Sequence, residues 1–265
     1  MNIQLEQSGL NRRDKITRIA NLSPFFAEEN DTIKEVVQKM ISGQHRRIPI
    51  VNKKKDLIGV VTTMDILDAF LRHQNFNEPI KSIMIRDIVF CMKDDSLGFV
   101  LQKLKLSRRG GMPIVSSKKE LVGIISERDF VKPFIKINFN TTVEEVMTKK
   151  PLIVHDTISI FDCLKSMINS HYRRLPVVKE KQLVGIVTSA DMIKYIFEHD
   201  YKFDDLNVPI DFIVRKDVLT ISNSKDISEA IKLMRDKDVG GILVTDEKNN
   251  LEGIITERDI IEEIV

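Results

Sequence analysis

The 265-residue sequence contains no tryptophan, only three tyrosines and two cysteines, and almost no excess of either charge. Lys and Arg number 41 against 39 Asp and Glu, which gives a net charge of +2. A general nucleic-acid binder needs a cationic excess to displace counterions, and stacking of bases needs aromatic surfaces. Composition therefore argues against a nucleic-acid partner, and strongly salt-dependent binding to RNA or DNA is the result that would revive one.

Targeting and membrane signals are also missing. The first ten residues are polar and lack the apolar core of a signal peptide, and no stretch approaches the ~18 uninterrupted apolar residues of a membrane span. Cys91 and Cys163 form no Cys-x-x-Cys pair and lie inside apolar segments, which predicts buried thiols in a reducing compartment. We expect a soluble cytoplasmic protein without a membrane partner, long enough for about two domains.

Motifs of catalysis are absent as well. There is no Gly-x-Gly-x-x-Gly, Walker loop, Gly-x-Ser-x-Gly or His-Glu-x-x-His segment. The five histidines are scattered, without metal-ligand spacing. The sequence therefore predicts a protein that is not an enzyme, has no metal site and requires no cofactor.

What the sequence does contain is one segment repeated four times, each copy running from a glycine to an aspartate six residues later: Gly59–Asp65, Gly123–Asp129, Gly185–Asp191 and Gly253–Asp259. A β-rich run and a polar turn precede each copy, which is typical of a β-hairpin. Farther upstream, Ile33, Val36, Val37 and Met40 follow helical spacing, and a short strand precedes that helix. The predicted unit is strand, helix, strand, strand, helix, an α/β (α+β) fold of about 60 residues that needs a partner to bury its core.

The repeats fall into two alternating classes. Repeats one and three carry Arg-Arg before the middle strand, at Arg46, Arg47 and at Arg173, Arg174, whereas repeats two and four carry Gly-Gly there. The chain therefore reads as a duplicated two-repeat module. We place an N-terminal tail at residues 1–13 and the repeats at 14–73, 78–135, 141–200 and 206–265.

At these motifs the unit resembles the CBS (cystathionine β-synthase) domain, and each pair of repeats resembles a Bateman module. Four such repeats are similar to the gamma subunit of AMP-activated protein kinase and to stand-alone prokaryotic proteins. The resemblance implies a disk of two modules, with clefts between paired repeats that bind AMP, ADP, ATP or S-adenosylmethionine. Since no effector domain is recognised in the chain, we expect output through a partner effector protein or through a second copy, as in a homodimer of disks.

Each repeat ends its hairpin with a hydroxyl followed three residues later by a carboxylate, at the start of a helix. Helix starts suit phosphate, and in the family the carboxylate accepts the ribose hydroxyls, which makes the candidate nucleotide-binding pairs Thr62/Asp65, Ser126/Asp129, Thr188/Asp191 and Thr256/Asp259. The same pattern is a capping box, which needs no ligand. Both interpretations stay open on the sequence alone.

Arginines refine the expected ligand class. Arg47 and Arg174 match the arginine of the family's His-Arg-hydrophobic-Pro pattern, and Arg46 and Arg173 replace its histidine, although a solvated arginine at a strand start explains each of them equally well. Arg128 and Arg258 lie in the first turn of their helices, where a cation is unfavourable without an anion nearby; their neighbours Glu127 and Glu257 are alternative partners.

We therefore expect a non-catalytic sensor that binds adenine nucleotides at unequal sites and transmits their occupancy to a partner. The alternative is a structural assembly protein without ligands.

Overall fold

The structure is a computed structural model and describes residues 3–180 and 182–265. The α-helices are α1 (Ile33–Ser42), α2 (Thr63–Leu71), α3 (Leu97–Ser107), α4 (Glu127–Val131), α5 (Val143–Val146), α6 (Ile160–Ser170), α7 (Ser189–Glu198), α8 (Ile227–Asp236) and α9 (Glu257–Glu263). The strands are β1 (Ala27–Glu28), β2 (Arg47–Val51), β3 (Leu57–Thr62), β4 (Cys91–Met92), β5 (Gly111–Val115), β6 (Leu121–Ser126), β7 (Thr148–Lys149), β8 (Val154–His155), β9 (Arg174–Lys179), β10 (Gln182–Thr188), β11 (Thr220–Ser222), β12 (Gly241–Thr245) and β13 (Leu251–Thr256).

Every repeat forms the predicted order of strand, helix, strand, strand and helix. The sheets have the orders β1-β2-β3, β4-β5-β6, β10-β9-β8 and β11-β12-β13-β7. In each, the short first strand pairs in parallel with the middle strand, which forms an antiparallel hairpin with the third. The mixed α/β fold expected from the sequence is therefore confirmed.

Local sequence explains where the helices begin. Thr32 caps α1 by accepting a hydrogen bond from the Glu35 N–H at 3.2 Å, while the Glu35 carboxylate accepts one from the Thr32 N–H at 2.7 Å. This reciprocal pair satisfies two backbone donors that a helix start leaves open. The apolar stripe of α1, from Ile33 to Met40, is buried as its spacing predicts.

The chain divides into two compact units, and each unit combines repeats that are not consecutive. The even unit contains repeats two and four, and the odd unit contains repeats one and three. Their ranges are Met1–Pro24, Val89–Pro151 and Leu219–Val265 for the even unit, and Phe25–Ile88 and Leu152–Val218 for the odd unit. The units coincide with the Gly-Gly and Arg-Arg classes of the sequence.

Each unit has one hydrophobic core shared by two repeats. The even core joins α3 and α4 to α8 and α9, and it includes Ile3, Leu5 and Leu10 from the segment ahead of the repeats. The odd core joins α1 and α2 to α6 and α7. Both cysteines are buried in these cores, and burial raises the pKa of each thiol to about 12. Within the described residues, no helix has the length and apolar character that a membrane crossing requires.

The leading segment of each repeat, meaning the stretch before its first strand, packs on a different repeat. These segments are residues 14–24, 78–88, 141–151 and 206–218. Asn21 pairs with Ile124 of repeat two, and Ile85 pairs with Val60 of repeat one. In the second half of the chain, Thr148 pairs with Ile254 and Arg215 with Ile186. Consecutive repeats therefore exchange leading segments.

The repeated glycine makes this exchange feasible, because it lets the leading segment approach the third strand closely. A Cβ built on Gly185 would lie 2.8 Å from the Arg215 carbonyl oxygen and would also collide with the Val214 side chain. The three heavy atoms nearest to a Cβ on Gly59 would all belong to the side chain of Met84. Backbone cannot move aside as a methionine side chain can.

This difference predicts unequal costs for the same substitution. We expect Gly185→Ala to lower the free energy of unfolding by about 2 kcal/mol and Gly59→Ala, as matched control, by about 1 kcal/mol or less. Urea denaturation of the two variants measures both costs. Equal losses would contradict the close-approach explanation.

Candidate functional site

The four hydroxyl–carboxylate pairs form the same geometry at four helix starts. In repeat one, the Thr62 hydroxyl donates to Asp65 Oδ2 at 2.6 Å, and the Thr62 N–H donates to the same oxygen at 2.7 Å. The corresponding O–H to Oδ2 distances are 2.8 Å at Ser126, 2.6 Å at Thr188 and 2.6 Å at Thr256. Each site is a closed capping box that occupies one carboxylate oxygen and leaves Oδ1 as the acceptor for other groups.

The Arg-Arg and Gly-Gly positions lie beside these boxes. Arg47 is in register with Thr62 across the hairpin, and Arg174 is in register with Thr188. Gly111 and Gly241 take the same places opposite Ser126 and Thr256. The structure therefore brings one arginine to the cap in repeats one and three, and none at this position in repeats two and four.

The residue before each of these positions contributes through its backbone. The Arg46 and Arg173 carbonyl oxygens accept the N–H groups of Thr63 and Ser189 at 3.1 and 2.9 Å. In repeats two and four, the Gly110 and Gly240 carbonyl oxygens accept the N–H groups of Glu127 and Glu257 at 3.3 and 3.4 Å. One donor of each helix start is thereby satisfied within the chain, so an anion there relies on fewer open N–H groups than the sequence suggests.

The exchanged leading segments reach the second carboxylate oxygen in two repeats. Arg215 binds Asp191 Oδ1 through Nε at 2.6 Å and through a terminal nitrogen at 2.5 Å. The Thr148 hydroxyl donates to Asp259 Oδ1 at 2.8 Å. Ile85 and Asn21 occupy the equivalent backbone positions in repeats one and two. Chemically different neighbours thus face four similar boxes.

Arg215 and Thr148 were not among the residues that the sequence singled out. The sequence does contain a signal for Arg215. Pro209-Ile210 matches Pro79-Ile80 at a distance of 130 residues, and the same offset makes Arg215 the equivalent of Ile85. The exchange of leading segments, which brings these residues to the aspartates, leaves no periodic trace.

Arg128 and Arg258 make ion pairs with the two glutamates that the sequence offered as alternative partners, but the pairs are crossed between repeats. Arg128 Nε lies 2.7 Å from Glu257 Oε1, and Arg258 contacts Glu127. Arg128 also pairs with Asp238, and Arg258 with Glu262 at 3.3 Å. Both guanidinium groups therefore have carboxylate partners within the chain.

Burial changes the acidity of two capping aspartates. It raises the pKa of Asp259, and hydrogen bonds from Thr256 and Thr148 offset that effect only in part. Burial likewise raises the pKa of Asp129, against hydrogen bonds from Ser126 and with a further upward contribution from Glu257. Both groups belong to the even unit.

The model of the CBS domain matches residues 16–72, 80–136, 143–198 and 210–265. The chain belongs to the CBS domain family. Its four capping boxes are thus equivalent positions of four CBS domains, and the Arg-Arg and Gly-Gly classes are two variants of that domain.

Two of the relatives match over most of this chain and most of their own length. Protein MJ1225 of Methanocaldococcus jannaschii is 28% identical over 256 residues, covering 87% of this chain and 91% of that protein. Its crystal structure, a proposed archaeal homologue of g-AMPK, has a TM-score of 0.87 at 26% identity and covers 94% of this chain and 99% of that one. A protein of Thermofilum pendens is 24% identical over 86% of this chain and 84% of its own length.

The raised pKa of Asp259 predicts a pH dependence. Because the folded state holds this proton more tightly than the unfolded state does, stability is lost as pH rises through the folded-state pKa. Asp259→Asn removes that titration, so its free energy of unfolding should improve relative to the original chain as the pH rises above about 4, the ordinary pKa of an Asp carboxyl. Urea denaturation across this range measures the change.

Asp226 is the control with the opposite sign. Burial raises its pKa, but hydrogen bonds from Ser228, Thr141 and Phe139 outweigh burial and lower it. The stability that Asp226 contributes is present above about pH 4 and is lost as the pH falls, so Asp226→Asn should be costly at pH 7 and least costly in acid. The same pH slope for both Asn variants would contradict the assignment.

Proposed function

We propose that this protein is a non-catalytic regulator that binds anionic adenine nucleotides at the helix starts of repeats one and three and conveys their occupancy to a partner protein. AMP, ADP and ATP are the proposed ligands, and S-adenosylmethionine is the less suited one. The observation that carries the proposal is the register of Arg47 and Arg174 with the cap threonines Thr62 and Thr188.

Charge supports an anion at these two sites. The Arg173 carbonyl oxygen accepts the N–H of Ser189, and Arg174 is in register with Thr188, so both arginines lie at the N-terminus of α7, which is electropositive. Arg215 adds a third guanidinium group at the Asp191 carboxylate. Guanidinium groups recognise phosphate oxygens with paired hydrogen bonds. A cationic ligand such as the sulfonium of S-adenosylmethionine lacks that attraction.

The carboxylates supply a matching site for sugar hydroxyls. Asp65 and Asp191 each use Oδ2 in the capping box, and a carboxylate oxygen can accept more than one hydrogen bond. A ribose at Asp191 would exchange with Arg215, whose side chain is 60% exposed. The Asp191 side chain itself is only 10% exposed, so the ribose hydroxyls must replace the hydrogen bonds that the guanidinium gives up. We propose that the released guanidinium then faces the ligand phosphate.

Repeats two and four are proposed as weaker sites. Their boxes face Gly-Gly instead of Arg-Arg, and Arg128 and Arg258 hold carboxylate partners of their own. A phosphate role for these two arginines requires competition with Glu257 and Glu127. The Thr148 contact also occupies Asp259 Oδ1.

An assembly protein without ligands is the second candidate, and one specific observation favours it. All four capping boxes are closed by residues of the chain itself. On that account the aspartates stabilise helix starts and have no other task, and ligand addition changes nothing.

A local fluorescence reporter separates the two candidates. The chain has no tryptophan, and Tyr172, next to Arg173, is 55% exposed, so Tyr172→Trp reports on repeat three alone. We expect saturable emission changes with AMP, ADP and ATP. Adding Arg174→Gln should weaken AMP binding about tenfold, the value of one charge-assisted hydrogen bond.

Lys179→Gln is the matched control, because it removes one charge from the far, exposed end of the same strand; it should leave AMP affinity within about twofold. The assembly account holds instead if AMP, ADP, ATP and S-adenosylmethionine all leave the emission unchanged and if calorimetry of the unmodified chain with the same four ligands detects no heat.

A further inference from the structure

The helix that follows each capping box begins next to its counterpart from the other repeat of the same unit. In the odd unit the first residues of the two helices are Thr63 and Ser189, whose hydroxyl oxygens lie 2.9 Å apart. Both are buried, with 2% and 1% of their surface exposed. The next positions, Met64 and Ala190, are apolar. The contact between repeats one and three at these helix starts is therefore uncharged.

The even unit has charged residues at all four equivalent positions. Glu127 and Glu257 replace the hydroxyl residues, and Arg128 and Arg258 replace the apolar ones. The ion pairs cross between the repeats, Arg128 to Glu257 and Arg258 to Glu127. The glutamate side chains are only 12% and 6% exposed. Burial of these carboxylates is tolerable because each has an arginine of the opposite repeat beside it.

Further contacts hold the arginines in these orientations. Arg128 reaches Asp238 and donates to its carbonyl oxygen at 3.5 Å. Arg258 donates to the Leu104 carbonyl oxygen at 3.2 Å and to Glu262 at 3.3 Å. These partners come from elements of the even unit, so the geometry depends on the whole contact between repeats two and four.

We call the first two residues of the helix after each capping box its helix-start pair: Thr63-Met64, Glu127-Arg128, Ser189-Ala190 and Glu257-Arg258. We propose that these four helix-start pairs determine which repeats share a core. A repeat with Glu-Arg opposite one with Thr-Met or Ser-Ala would bury a carboxylate without its cation. Removing one partner of a buried ion pair is strongly destabilising, whereas replacing the whole set with neutral residues is not. Like therefore pairs with like, which selects repeats one with three and two with four from domains that otherwise share one pattern.

Exchange of residues between classes tests this selection in the full chain. Glu257→Ser with Arg258→Ala gives repeat four the residues of repeat three. It removes Arg258 from beside the buried Glu127 carboxylate and leaves Arg128 with Asp238 in place of two carboxylates. We expect this half conversion to lower Tm by about 10 °C. Adding Glu127→Thr and Arg128→Met completes the neutral set and should recover most of that loss.

A charge exchange provides the second measurement if the half conversion fails to fold. Arg128→Glu and Glu257→Arg should each lower Tm, and the double variant should be more stable than either. Arg235→Gln is the control, since the Arg235–Asp236 pair is exposed and lies outside this contact; its Tm should change by no more than about 2 °C. The proposal would be overturned if the full conversion recovered none of the Tm lost in the half conversion and if the Tm losses of Arg128→Glu and Glu257→Arg simply added in the double variant.

Discussion

Neither core of this protein can be closed by one repeat alone, and that constraint organises the rest of the structure. A CBS repeat of about 60 residues supplies two helices and a three-stranded sheet, and a domain of that size buries only a modest fraction of its surface by itself. Helices of a second repeat complete each core, and the leading segment of a third covers the sheet edge beside the repeated glycine. The repeated glycines, the capping boxes and the helix-start pairs all lie where one repeat contacts the helices or the leading segment of another.

The same dependence makes four similar sites unequal. The capping box has one geometry throughout, but its neighbours differ from repeat to repeat. Some lie in the same hairpin, as Arg174 does, and some in an exchanged leading segment, as Arg215 and Thr148 do. Others belong to the facing repeat, as Glu257 and Ser189 do. An identical carboxylate is therefore beside a cation in one repeat and a hydroxyl in another. This inequality is the physical reason for proposing nucleotide sites in repeats one and three first.

Local features of the fold could be predicted from the sequence because they depend on near neighbours. The stripe of α1, the hairpins and the hydroxyl–carboxylate caps are set by residues within one or two turns. The class difference between Arg47 and Gly111 was also visible, and it proved to coincide with the division into units.

Other features could not be predicted because they join residues far apart in the chain. The pairing of Arg128 with Glu257 spans 129 residues, and that of Arg215 with Asp191 depends on the exchange of a segment. Spacing gave two equal candidates for the partner of each first-turn arginine, a phosphate or a glutamate. Only the packing of α4 against α9 reveals that the glutamate belongs to the opposite repeat.

Native mass spectrometry of the full chain, purified without added ligand and then mixed with AMP, tests the central proposal most directly. The account predicts that the released small molecules include adenine nucleotides or that added AMP binds in discrete steps, with the strongest steps lost when Arg47 and Arg174 are both replaced by Gln. A spectrum with no nucleotide carried from purification and no AMP bound on addition would contradict it.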